Sequence, residues 1–234
     1  MELLAWGSAG WGDELVSGLC LTVALALCTL PLGMLTGLGI AAMRRSSNWL
    51  ACDVAIGFTT AFRSLPELLT VFLIYYGGQS LINALSQSLD FGPMELHPFA
   101  AGLIALALVF GAFSSEVFLA AFAALPPGQG EAGRTLGLHR FQIFLLITGP
   151  QMLRLSLPGL SNLWQNLLKD TSLISIIALN DLLRQSKLAA SSEVEPVFFY
   201  CVAFVLYLSL AVLSSIGIGH VRSWSDRGFG SAAP

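Results

Sequence analysis

Charge is what this sequence has least of. Only 11% of its 234 residues are Asp, Glu, Lys or Arg, against roughly 25% in an ordinary soluble domain. Eleven basic and fourteen acidic side chains make too thin a polar shell for a soluble protein of this size. Residues 15–43, 68–89, 96–115 and 196–221 contain no charged side chain. Each run reaches the roughly 20 residues that an α-helix needs to cross the hydrocarbon of a bilayer. Core helices of a soluble bundle keep a polar face, and these runs have none, which excludes that class. No Lys or Arg precedes Arg44, so the basic n-region of a cleaved signal is missing and the first run is expected to stay as a membrane helix. A net charge of −3 without a basic tract excludes nucleic acid as a partner. Cys20, Cys28, Cys52 and Cys201 have neither metal-ligand nor disulfide spacing and read as small apolar packing residues. The isolated His97, His139 and His220 are assigned to no metal. The pattern Gly-x-x-x-x-Gly-Lys-Ser/Thr is absent, so no ATP site is expected in this chain.

What is there is an all-α polytopic membrane protein forming a single transmembrane domain over 1–234. Its five spans are expected at about 16–42, 51–78, 98–122, 155–179 and 197–219. An external N-terminus puts Arg44, Arg45, Arg134, Arg140, Arg222 and Arg227 on the cytoplasmic side and leaves Arg184 and Lys187 outside, which follows the positive-inside rule. The outer segments then carry Glu2, Asp13, Glu14, Asp90, Glu95, Asp181, Glu193 and Glu195. Gly33, Gly37 and Ala41 recur every fourth residue, a small-residue stripe for close helix packing within this chain or against another. Pro31 is expected to bend the first span.

The longest connection, about 123–154, is expected on the cytoplasmic side. Pro126-Pro127-Gly128 reads as a break, followed by a short amphipathic helix with Ala132, Leu136 and Phe141 as its apolar stripe, a second helical piece, and a stop near Pro150. Inside the spans, charged residues are costly unless paired or wet. Arg63 and Glu67 are four apart and can pair on one helix face or line a path. Glu116 suits a helix–helix or gate pairing better than a substrate contact, because it falls near the cytoplasmic end of its span. Lys169 and Asp170 are adjacent and need separate partners; a break there lets Asp170 cap Thr171 and Ser172, and broken helices line substrate paths.

At the connecting loop the sequence resembles a known family. Gly130-Glu131-Ala132-Gly133-Arg134-Thr135-Leu136-Gly137 is similar to the EAA loop of membrane subunits of ATP-binding cassette importers, whose core is E-A-A, three residues, then G. Gly133 stands where alanine is usual, and lowers helix propensity by up to about 1 kcal/mol. Phe62-Arg63-Ser64-Leu65-Pro66-Glu67-Leu68-Leu69, Pro150-Gln151-Met152-Leu153-Arg154, Leu157-Pro158-Gly159-Leu160 and Lys169-Asp170-Thr171-Ser172-Leu173 resemble further blocks of polar amino acid permeases, in family order. The fit is best to the subgroup importing histidine, arginine, ornithine, related basic amino acids or opines. Leu119-Ala120-Ala121 departs from it, where many relatives carry an arginine.

The resemblance implies a type I importer permease fold in a bacterial inner membrane, with five spans, an external N-terminus and a cytoplasmic coupling helix. It implies a translocation subunit without cofactor, not an enzyme, with ATP and Mg held by two separate cytoplasmic ATPase subunits. The other implied partners are a second homologous permease (a heterodimer before a homodimer), an external solute-binding protein, membrane lipid and an amino acid substrate. Gly130, Glu131, Ala132, Gly133, Arg134, Leu136 and Gly137 are the candidate coupling residues, with Glu131 either docking on the ATPase or only capping its own helix. Arg63, Glu67, Glu116, Lys169, Asp170, Thr171 and Ser172 are the candidates for path or gate. An ATP-independent transporter or channel would want inverted repeats, and a membrane enzyme converging catalytic groups; neither pattern is present.

Overall fold

Each charge-free run is helical in the computed structural model, which describes residues 2–7, 10–89, 92 and 94–226. Asp90, Arg227 and the Glu2 side chain, counted above among the outer acids and inner bases, lie outside the described residues. The helices are α1 (Gly12–Arg44), α2 (Trp49–Ser64), α3 (Glu67–Phe72), α4 (Gly78–Ser88), α5 (Pro98–Ala123), α6 (Gln129–Thr135), α7 (Arg140–Ile143), α8 (Gly149–Asp170), α9 (Leu182–Ser192) and α10 (Pro196–Asp226). A π-helical turn, Leu73–Gly77, joins α3 to α4, and another, Phe144–Thr148, joins α7 to α8. A 3-10 stretch, Thr171–Ile177, prolongs α8. Among the described residues, five helical runs are long and apolar enough to cross a membrane: Gly12–Arg44, Glu67–Ser88, Pro98–Ala123, Arg140–Ile177 and Pro196–Ser223.

Two of these runs differ from expectation. The second does not reach back to residue 51, because the helix stops at Ser64 and restarts at Glu67. Pro66 disfavours helical backbone at Leu65, which is extended at φ −81°, ψ 142°. The fourth begins at Arg140 instead of 155, and Pro150 does not stop it. Pro150 falls in the first turn of α8, where a missing N–H costs nothing, and the π turn before it absorbs the change of hydrogen-bond register. Helix α9 is a further difference: a polar segment expected as an outer loop is helical, capped by Asp181.

The core is organised around α5, which packs on α1, α2, α3 and α8. Small residues let it be approached from all sides. The Gly33–Gly37–Ala41 stripe of α1 is spent inside the chain. A Cβ on Gly33 would lie 2.6 Å from the Phe110 ring, and one on Gly37 would meet the Ser114 hydroxyl. Thr36 Oγ1 donates to Ala107 O at 3.3 Å and Ser114 Oγ to Gly33 O at 3.2 Å, so the α1–α5 seam is both close and hydrogen-bonded. Pro31 lies within α1, which remains one continuous helix. Cys20, Cys28 and Cys201 are exposed instead of packed in the core, in keeping with an outer surface that also shows Leu27, Leu35, Phe204 and Leu213.

Candidate functional site

The helix break at Leu65–Pro66 divides two charged clusters. On its α2 side, Arg63 does not pair with Glu67. Its Nη1 lies 3.0 Å from Glu116 Oε1, and Arg44 Nη1 reaches the same oxygen at 2.5 Å. The expected i,i+4 pair is lost because the helix that would align residues 63 and 67 ends between them. Glu116 thus ties the last turns of α1 and α2 to α5, as a helix–helix pairing. Two guanidinium groups on one carboxylate leave this cluster with a net positive charge. The Arg63 guanidinium also lies 5.6 Å from the centre of the Phe113 ring.

On the other side of the break, Glu67 in the first turn of α3 and Asp170 at the end of α8 face one another. Both line a cavity of about 60 Å³ with Asn166, Phe113, Phe110 and Leu163, room for a few water molecules. No basic side chain lines it. Phe113 therefore stands between the arginine cluster and the acid pair.

Asp170 does not cap the residues after it. Instead Thr171 Oγ1 donates to Leu168 O at 2.8 Å and Ser172 Oγ to Lys169 O at 2.6 Å, while the chain tightens from α to 3-10 geometry without breaking. The turn-away comes at Ala178, whose φ of 69° ends the run. Lys169 opens onto a different cavity from its neighbour, about 500 Å³ between α8 and α10, with Gln165, Ser172, Tyr200 and Phe204. The adjacent charges thus serve opposite sides of one helix.

The connecting loop forms the expected short helix. Gly128, with φ 85°, precedes α6 as its N-cap, and no side chain caps it. Glu131 is exposed and makes no hydrogen bond to the backbone of α6 among the described residues. The helix is stopped by Gly137 at φ 79°, with Leu138 N–H donating to Gly133 O at 3.1 Å, a left-handed termination that favours glycine. Gly133 is the buried face of α6. A Cβ there would lie 2.8 Å from Ile143 Cγ1 and 3.1 Å from Ile147 Cδ1, so the departure from alanine lets α6 sit close on the π turn that leads into α8. Gln151 Nε2 adds bonds to Ile147 O at 2.9 Å and Gln129 Oε1 at 3.4 Å. Glu131, Ala132, Arg134, Leu136 and Phe141 all point outward, and Leu136 is 77% exposed. Gly130 is half-buried beside them.

Arg44, Asn166, Gln129 and Gln151 were not among the expected site residues, and nothing in their local sequence marks them; long-range packing does. Asp181 is fully buried. Its Oδ1 accepts from Arg184 N–H at 3.1 Å, and its Oδ2 has no partner among the described residues. Burial pushes its carboxyl up to about 6. Asn180-Asp181 before an apolar residue is an N-cap signal legible in sequence.

Residues 11–223 match the family model described as binding-protein-dependent transport system inner membrane component. The nopaline transport system permease protein NocQ of Agrobacterium fabrum is 38% identical over 230 residues, 97% of this chain and 98% of that one. The histidine/lysine/arginine/ornithine transport system permease protein HisQ of Escherichia coli is 35% identical, over 88% of this chain and 90% of that one. Among solved structures, an amino acid ABC transporter crystallised with histidines superposes with a TM-score of 0.76 at 28% identity, covering 91% of this chain and 94% of that chain.

Proposed function

Because this chain belongs to the family of inner membrane components of binding-protein-dependent transport systems, we propose that it carries a basic amino acid or opine through an ATP-driven importer, with force entering at α6 and the cationic part of the substrate met at Glu67 and Asp170. It is a multi-pass permease subunit of a bacterial inner membrane, and ATP hydrolysis belongs to separate ATPase subunits. In this proposal the N-terminus is external, the second permease is a homologue forming a heterodimer, and two ATPases, holding ATP and Mg, dock on the cytoplasmic side. An external binding protein delivers the substrate.

The observation that carries the proposal is the continuity of one helical run. Arg140–Ile177 begins against α6 and carries Asp170 at the end of its α8 part, which alone, at 22 residues, spans about 33 Å. A displacement of α6 by a closing ATPase pair is passed to the start of α8 through Gly133 on Ile143 and Ile147 and through Gln151 on Gln129. Helix α8 is continuous over that distance, with Pro158 inside it, so a shift of its start is carried to Asp170 against Glu67 and α5. The surface that meets the ATPase is Glu131 and Arg134 with Leu136 and Phe141 between them, charged groups fixing register around an apolar contact.

At the far end, two carboxyl groups share a cavity that no basic side chain among the described residues lines, with Lys169 turned to another cavity, and such a pair suits an ammonium or guanidinium group. Beyond Phe113, the positive Arg44–Glu116–Arg63 cluster opposes passage of the same cation, and parting Arg63 from Glu116 would open that barrier. Uptake by the reconstituted complex, with arginine, lysine, histidine, ornithine, octopine and nopaline offered separately, tests the assignment. Asp170→Asn is expected to lower uptake of the cationic substrate about tenfold or more while the complex still assembles. Unchanged uptake in that variant, or preference for an acidic or neutral amino acid, contradicts it.

A further inference from the structure

A third cavity, of about 580 Å³, lies at the arginine-bearing end of the bundle, away from the acid pair. The end of α5 and its connection to α6, the start of α6, the first turns of α8 and the last turns of α10 form it. Its polar lining is Arg154, Arg222, Gln129 and Gln151, with Leu155 and Pro158 among its apolar walls, and no acidic side chain among the described residues lines it. Arg222 is exposed and makes no hydrogen bond or ion pair among the described residues. Arg154 has a partner of its own, but a guanidinium has five N–H donors and can serve a second acceptor. Gln129 uses its Oε1 on Gln151, which leaves its Nε2 to donate.

We infer that this cavity binds the phosphate of an anionic phospholipid headgroup, held by Arg154, Arg222 and Gln129. The shared chemistry is a phosphate oxyanion met by guanidinium and carboxamide N–H groups. The lipid is favoured over free phosphate by the walls. Leu155 and Pro158 continue the cavity along α8, on a helix that runs into the membrane, so an acyl chain can follow the headgroup. Basic pockets between membrane helices at the interface recognise such lipids. The position gives the site a consequence. Gln129 belongs to α6 and Arg154 to α8, so one bound headgroup bridges the docking helix and the helix it drives. This inference does not rest on the substrate assignment above.

Its test uses the full chain in nanodiscs containing equal amounts of phosphatidylglycerol and phosphatidylcholine, with retained lipid counted by native mass spectrometry after release. The wild type is expected to retain phosphatidylglycerol in preference. Arg222→Gln is expected to lower that retention about fivefold, and Arg222→Lys to keep most of it. Circular dichroism of both variants verifies the fold, and Gln129→Leu supplies an independent lesion in the same cavity. Equal retention by wild type, Arg222→Gln and Gln129→Leu overturns the inference. So does a result in which millimolar inorganic phosphate stabilises the wild type in pure phosphatidylcholine discs as much as phosphatidylglycerol does, since the ligand would then be free phosphate.

Discussion

At the scale of single residues, the charged groups inside the spans are explained by pairs that sequence distance does not announce. Glu116 holds Arg44 and Arg63 together, and side-chain exposures of 26 to 44% put its worth below that of a fully buried pair. Glu116→Gln is expected to destabilise the chain by about 1–3 kcal/mol, read as a lowered thermal midpoint, with Glu116→Asp recovering part of it. Asp181 makes a prediction in pH. Its folded carboxyl titrates near 6 against an ordinary 3.8, so the folded state holds the proton more tightly than the unfolded state. Stability is therefore greatest below pH 4 and falls as pH rises toward 6, by up to about 3 kcal/mol. Arg184 and Tyr207 are the charged and titratable groups facing it. Asp181→Asn keeps the cap on Arg184 N–H and should flatten that dependence, leaving the variant more stable than the wild type at neutral pH. An unchanged pH slope in thermal unfolding would refute this.

At the scale of elements, the spans of the first, third and fifth apolar runs were legible because α1, α5 and α10 are bounded by charge and contain almost none. The rest depended on backbone details that a composition window averages away. The Leu65–Pro66 break sits between two apolar stretches and so hides inside one apparent span, which is why Arg63 and Glu67 looked like partners. The start of the fourth run is masked by polar residues around Arg140, and only the π turn explains how the helix passes Pro150. The short helix α6 was legible in the sequence around it, but the reason for Gly133 was not. Close packing on Ile143 and Ile147 requires a small residue. Gly133→Ala gains helix propensity worth up to about 1 kcal/mol but sets its Cβ 2.8 Å from Ile143 Cγ1, a mid-chain atom of a buried residue, so it should lower the thermal midpoint slightly. Gly133→Leu should lift α6 away from α8: the complex assembles, yet substrate no longer stimulates its ATPase. Normal stimulation in Gly133→Leu would exclude this contact from the force route.

At the scale of the whole molecule, the proposed function makes the chain a lever between two chemistries. One end presents α6 and its outward Glu131, Arg134 and Leu136; the other brings Glu67 and Asp170 together across α3, α5 and α8. The long run Arg140–Ile177 connects them. Proteoliposomes containing this chain, its partner permease, the ATPases and the binding protein allow substrate uptake and ATP hydrolysis to be measured in the same vesicles. With Glu131→Lys, uptake and substrate-stimulated hydrolysis are expected to fall together, by about tenfold or more, while the membrane subunits remain folded. Wild-type uptake and stimulation in that variant would contradict the claim that force enters at α6.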